Sequence, residues 1–284
     1  MPAMKTVTTI NGRFVRRGQD KISVFDNALL YADGLFETIL TIGDHLVFMK
    51  EHLQRLHQGA RLIGIKLPVS DDRLISWMKR TVKAHPAHTT KLRLTITSGE
   101  AARWVGTQGK PQVILSASPH QVPEAPYTLY VSEFRVDQDS EFRRIKTLSY
   151  AIHAAALKTA HAKGCDDALL LNEKDQVAEV TTANIFWVRN GRIYTPPIES
   201  GCLRGITRRI VIREARRLGR KVTERNISLD KLWEADEIFI SSSLKMVIPV
   251  SHIKHGRRVF RIKSGPIGQL FCSHFRHMVE LPTL

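Results

Sequence analysis

The chain has 284 residues, enough for two domains with their own cores, and its 43% hydrophobic and 25% charged residues describe a soluble globular protein. Its 43 Lys and Arg against 27 Asp and Glu give a formal charge of +16, but the basic residues are dispersed in short groups such as Arg16-Arg17, Arg143-Arg144 and Arg216-Arg217, with no nucleic-acid-binding motif; nucleic acid is therefore not the expected partner, and anionic small molecules are. Three cysteines without paired spacing disfavour a disulfide scaffold or a thiolate zinc site, no metal is expected, and with no secretory signal or membrane-length apolar run the expected location is the cytoplasm.

The predicted elements begin with a hairpin, 7–10 and 13–15, turned by Asn11-Gly12, residues that tolerate the positive φ such turns demand. Residues 25–34 read as a loop leading into a strand over 35–42, and Gly43-Asp44 turns the chain into a second strand over 45–49. A helix over 51–63 gathers Leu53, Leu56, Ala60 and Ile63 on one face; Arg55 falls off that face, so periodicity alone makes it a surface charge. Ser70-Asp71-Asp72 caps a helix that runs to about 84, because serine and acids accept from the free N–H groups of a first turn. Strands over 92–97 and 112–117 flank a loop, 98–110, containing Arg103-Trp104. Pro119, Pro123 and Pro126 interrupt regular structure, so 119–126 is read as a linker between a small N-terminal α/β domain, 1–118, and a larger domain, 127–284.

The second domain opens with a strand over 127–134. An alanine-rich helix over 150–163 follows Lys146 and stops at Gly164. Strands are expected at 167–171, 178–182 and 184–188, and Asn190-Gly191 turns the last into 192–195. A helix over 206–218, a strand at 221–224, a short helix at 229–235 and a strand at 237–240 precede the polar loop Ser241-Ser242-Ser243. Residues 247–253 are extended, and an amphipathic helix covers 267–279, which makes the fold class α+β with two domains.

Three pieces of the stretch 145–210 carry complementary chemistry. Taken singly, Lys146 is a solvated lysine, Glu179 a carboxylate on the wet side of a strand, and Gly205-Ile206-Thr207 the start of a helix. Taken together, they supply an amine able to form a Schiff base with an aldehyde, a carboxylate able to keep a pyridine nitrogen protonated, and a helix N-terminus with a hydroxyl able to seat a phosphate. Pyridoxal 5′-phosphate has all three handles.

The ordered motifs Tyr31-Ala32-Asp33-Gly34-Leu35-Phe36-Glu37, Glu51-His52-Leu53-Gln54-Arg55-Leu56, Ile145-Lys146-Thr147-Leu148, the run from Glu179 to Asn184-Ile185-Phe186, and Gly205-Ile206-Thr207-Arg208 resemble those of the fold-type IV pyridoxal-phosphate enzymes. That group holds branched-chain aminotransferases, D-amino-acid aminotransferases and 4-amino-4-deoxychorismate lyases. The resemblance implies a small N-terminal α/β domain and a larger, mixed, β-barrel-like C-terminal domain with helices. It implies that Lys146 binds the cofactor aldehyde and moves the substrate proton, and that Glu179 pairs with the ring nitrogen. Arg55, Ile206, Thr207, Ser242 and Ser243 would hold the phosphate, which reverses the surface reading of Arg55, and Tyr150 would reach the ring hydroxyl. A homodimer is implied, with the 98–110 loop reaching the partner's site. Tyr31, Phe36, Arg93, Arg103 and Lys245 are the substrate candidates, the cations among them for a carboxylate.

The implied activity is transfer of an amino group from a D-amino acid or a branched-chain L-amino acid to a 2-oxo acid. Arg103 matches the D-amino-acid group, Tyr31 and Phe36 the branched-chain group, and Ser243-Leu244-Lys245-Met246-Val247-Ile248-Pro249-Val250 looks more like the lyases, which release 4-aminobenzoate and pyruvate. The alternative of another class is a basic nucleic-acid-binding or scaffold protein that kept the fold without the chemistry.

Overall fold

A computed structural model describes residues 6–16, 18–100 and 109–280. The chain forms two compact units, Met1–Gln121 with Ile145–Ser149, and Val122–Arg144 with Tyr150–Leu284. The five residues around Lys146 therefore belong to the first unit although they lie in sequence within the second.

The first unit contains β1 (Val7–Ile10), β2 (Arg13–Val15), α1 (Asn27–Tyr31), β3 (Gly34–Ile42), β4 (His45–Leu46), α2 (Met49–Leu62), α3 (Asp71–Lys83), β5 (Thr89–Thr97) and β6 (Gln112–Pro119). The strands pair antiparallel in the order β2-β1-β6-β5-β3-β4. Alternate residues supply the core: Leu35 and Ile39 of β3, Leu92, Leu94 and Ile96 of β5, and Val113, Leu115 and Ala117 of β6 pack with Leu53, Leu56 and Ala60 of α2 and Leu74, Met78 and Val82 of α3. Lys146 enters through strand-like pairing, with Phe36 N–H donating to Lys146 C=O at 3.0 Å and Leu148 N–H donating to Gly34 C=O at 3.0 Å. Gly34 is needed there, since a Cβ would lie 2.5 Å from the Ile96 carbonyl oxygen and 2.6 Å from a Leu148 methyl carbon.

Three local readings change. Residues 27–31 form a helix where a loop was expected: Asp26 caps it by accepting from Ala28 N–H at 2.8 Å, and five residues are too few for periodicity to register. The strand expected over 45–49 stops at Leu46, because Phe48 adopts φ 55° and starts α2 two residues early. β6 continues through Pro119, which is tolerated at a strand end where a missing N–H costs little.

The second unit contains β7 (Tyr127–Val136), α4 (Ala151–Ala162), β8 (Asp167–Asn172), β9 (Val177–Val180), β10 (Asn184–Arg189), β11 (Arg192–Thr195), α5 (Ile206–Arg217), β12 (Val222–Glu224), α6 (Leu229–Leu232), β13 (Glu237–Ser242), β14 (Met246–His255), β15 (Arg258–Arg261) and α7 (Pro266–Glu280). Among the described residues its nine strands run in the order β12-β11-β10-β13-β14-β7-β8-β9, with β15 on β14. A bridge between Val180 and Ala183 brings β9 back to β10, so six of these strands curl into a barrel-like ring. One face of the ring is filled by Leu129, Val131, Leu169, Ile185, Trp187, Ile238, Ile240, Ile248 and Val250. On the other face Tyr130, Ala168, Leu170 and Ala178 pack with Ala156 and Ala160 of α4. Ser241 and Ser242 extend β13 instead of forming a loop, and β15 was not expected because its charged residues carry no apolar alternation.

Candidate active site

Lys146 is half-buried, and its Nζ lies 4.4 Å from the centroid of the Phe36 ring. The Arg93 guanidinium carbon approaches the same ring at 4.0 Å, so the structure gathers three predicted residues, two cations and the aromatic ring that both face. Phe36 is 5% exposed. Arg55 is buried rather than on the surface, the opposite of its periodicity, because α2 turns a second face toward Glu37. Arg55 Nε donates to Glu37 Oε1 at 2.8 Å and Nη2 to Oε2 at 2.6 Å, and His52 Nδ1 lies 2.6 Å from Oε2. Burial would push the Glu37 carboxyl up, but Arg55 and then His52 outweigh it and hold the pKa down at about 2. The buried His52 imidazole is pushed down, chiefly by desolvation. Tyr31 is 44% exposed on α1, and Arg103 lies outside the described residues.

In the second unit Glu179 is 4% exposed, not on a wet strand face. Arg143 donates to its Oε1, His153 Nε2 lies 3.2 Å from the same oxygen, and Leu203 N–H donates to Oε2 at 2.8 Å. Desolvation raises the pKa of this carboxyl, yet Arg143, His153 and the Leu203 amide together lower it below its ordinary value, so Glu179 is an anion fixed in a buried place. Tyr150, the residue before α4, donates its hydroxyl to Thr181 C=O and stacks on His153, with ring centroids 4.3 Å apart.

α5 begins at Ile206 behind Gly205, whose N-cap position has no side-chain hydrogen bond. The chain passes so close to Asn184 that a Cβ on Gly205 would lie 1.8 Å from Asn184 Oδ1. Asn184 pairs in register with Ser241 of β13. Among the described residues, Thr207 Oγ1 and Ser241 Oγ are both buried without a hydrogen-bond partner, and the first-turn N–H groups of a helix have no partner within the helix. A ligand with acceptor oxygens would satisfy such buried hydroxyls. A phosphate fits this donor set, and Glu179 fits a ring nitrogen, so the residues present suit pyridoxal 5′-phosphate.

Ser242 Oγ accepts from Lys245 N–H at 3.2 Å and so closes the β13–β14 turn, while Ser243 is half-buried in that turn. The Lys245 ammonium meets Asp167 Oδ2 at 3.4 Å and Thr182 Oγ1, and stands 5.2 Å from the Tyr127 ring. Burial, then Asp167 and Asp166, raise the Tyr127 phenol to about 12, so it stays neutral there. Residue reasoning did not single out Glu37, His52, Arg143, His153 or Ser241 as site residues. Only Ser241 had a local signal, since period 2 along β13 puts it on the same face as Phe239.

A family model described as Amino-transferase class IV matches residues 34–253. A protein of Methanocaldococcus jannaschii provisionally named a branched-chain-amino-acid aminotransferase is 33% identical over 272 residues, 94% of each chain. A D-alanine aminotransferase of Bacillus licheniformis is 31% identical over 90% of this chain and 91% of its own length. Among solved structures, a branched-chain aminotransferase from Thermoproteus uzoniensis with norvaline superposes with TM-score 0.88 at 28% identity, covering 96% of this chain and 94% of that one. The T.th. branched-chain amino acid aminotransferase with pyridoxamine 5′-phosphate gives 0.87 at 30%, covering 96% and 93%. A provisionally named 4-amino-4-deoxychorismate lyase from Legionella pneumophila gives 0.84 at 25%, covering 90% and 95%. Since the family match spans residues 34–253, well over half of the sequence, the chain belongs to the class IV aminotransferases.

Proposed function

We propose that this chain transfers the amino group of an α-amino acid, either a D-amino acid or a branched-chain L-amino acid, to a 2-oxo acid with pyridoxal 5′-phosphate as cofactor. When bound, the cofactor supplies an aldehyde that takes up the amino group and a pyridinium ring that draws electrons from the substrate Cα. Lys146 Nζ would hold the cofactor aldehyde and would move the proton of the substrate Cα. Glu179 holds the ring nitrogen protonated. Arg55, the amides of Ile206 and Thr207, the Thr207 hydroxyl and Ser243 bind the phosphate, with Ser242 shaping the turn that carries Ser243. Tyr150 orients the ring hydroxyl, and Tyr31, Phe36, Arg93 and Arg103 surround the substrate. The observation that carries this reading is the state of Glu179, buried to 4% exposure and still held anionic by Arg143, His153 and Leu203.

The active form is a homodimer in this proposal, supported by the exposed apolar run Val24 at 64%, Phe25 at 63%, Leu29 at 62% and Leu30 at 50%. Residence in the cytoplasm is supported by three cysteines that are all unpaired. No helix among the described residues is long and apolar enough to cross a membrane.

A second reading, the lyase, is favoured by the 243–250 segment and by the Legionella structure. Purified protein loaded with cofactor is given D-alanine, L-leucine or aminodeoxychorismate separately, the first two with a 2-oxo acid. Amino transfer from D-alanine or L-leucine supports the proposal; 4-aminobenzoate from the third substrate alone contradicts it.

A further inference from the structure

We propose that His153 is a positioning residue that dedicates Glu179 Oε2 to the cofactor ring nitrogen by occupying Oε1. The proposal rests on the reading of Glu179 given above.

His153 lies in the first turn of α4, is 4% exposed, and is held flat against Tyr150 with ring planes 18° apart. Its Nε2 is 3.2 Å from Glu179 Oε1 and also 3.2 Å from Arg143 Nη1. A guanidinium only donates and a carboxylate only accepts, so Nε2 serves one of them at a time. The tautomer follows from the other ring nitrogen. Nδ1 is buried without a partner, and an orphaned buried N–H is rarer and costlier than an orphaned acceptor. The proton therefore sits on Nε2 and is donated to Oε1.

That choice leaves the two carboxylate oxygens unequal. Oε1 receives Arg143 and His153, which fills its acceptor capacity, while Oε2 receives, among the described residues, only the Leu203 amide. The remaining lone pair of Glu179 is on Oε2, and a ring N–H is the donor it awaits. Arg143 is itself pinned, with Nε donating to Gly201 C=O at 3.0 Å, so both groups on Oε1 are anchored, Arg143 by Gly201 and His153 against Tyr150.

Two measurements test the proposal. In protein labelled with ¹⁵N-histidine, with His153 assigned by its loss in His153→Asn, the resonances are expected to report a proton on Nε2; a neutral ring protonated on Nδ1 overturns the proposal. This measurement works on cofactor-free protein, so it stands even if the functional reading fails. In cofactor-loaded protein, His153→Leu is expected to shift the visible absorption of the bound cofactor and to lower kcat about 10-fold or more, the worth of one hydrogen bond to a charged group. KM for the amino donor stays near native, and His153→Gln, which can restore the donor, recovers the native spectrum. A folded, loaded His153→Leu protein with native spectrum and kcat contradicts the assignment, whereas wild-type protein that takes up no pyridoxal phosphate contradicts the functional reading instead.

Discussion

Arg55 and Glu37 meet edge to edge in the core of the first unit, with parallel hydrogen bonds of 2.8 and 2.6 Å, although 18 residues separate them. Removing the charge of one partner leaves the other buried and uncompensated. Glu37→Gln is expected to cost about 3–5 kcal/mol of unfolding free energy in urea titrations. Saturating cofactor should restore more of the loss in the variant than it adds to the native protein, because a phosphate would replace the missing negative charge beside Arg55.

The same pair sets an acid limit. The folded pKa of Glu37, about 2, lies below its ordinary 4.5, so the stabilisation is fully present above about pH 4.5 and disappears as pH falls toward 2. The shift corresponds to a contribution on the order of 3 kcal/mol. His52, whose imidazole is pushed down, acts in the same direction, since the folded state resists protonating it. Unfolding midpoints measured across this window should decline for the native protein and much less for Glu37→Gln.

Gly205 has an ordinary φ of −64°, so its need is spatial rather than conformational. Gly205→Ala drives a methyl group to 1.8 Å from Asn184 Oδ1, which must displace either the side chain that donates to Leu203 C=O at 2.9 Å or the start of α5. Cofactor affinity is expected to fall about 10-fold or more, as for a lost charge-assisted hydrogen bond, while the folded chain persists. Equilibrium titration of the apoprotein with pyridoxal phosphate measures it.

Lys245 is the cation on Asp167, whose carboxylate is fully buried and also receives Thr181, Thr182 and the Ala168 amide at 2.8 Å. Lys245→Met should destabilise the protein by about 3 kcal/mol. Calorimetry with and without cofactor checks the value, and a variant as stable as the native protein would show that the hydroxyls alone hold Asp167.

The elements that carry the candidate residues are legible in local patterns, whereas the roles proposed for those residues come from the resemblance. Lys146 lies before an alanine-rich helix, Glu179 in a β-branched run, and Thr207 just inside a helix that follows glycine; each depends on residues within a few positions. The partners that make these groups work were not legible. Arg143 and His153 reach Glu179 across 36 and 26 residues, and periodicity says nothing about which charges meet across elements. Arg55 shows the same limit within one helix, where a face turned to Glu37 looked polar and therefore wet. Ser241 was hidden by the run of three serines, whose loop-like composition masked the alternation of β13.

Lys146 is proposed as the residue that carries the cofactor. Pyridoxal phosphate is bound to the purified protein, the link is made permanent with borohydride, and the digested peptides are analysed by mass spectrometry. The pyridoxyl group is expected on the peptide containing Lys146 and to vanish in Lys146→Ala along with turnover; a group found on another lysine, or activity retained without Lys146, would contradict the account.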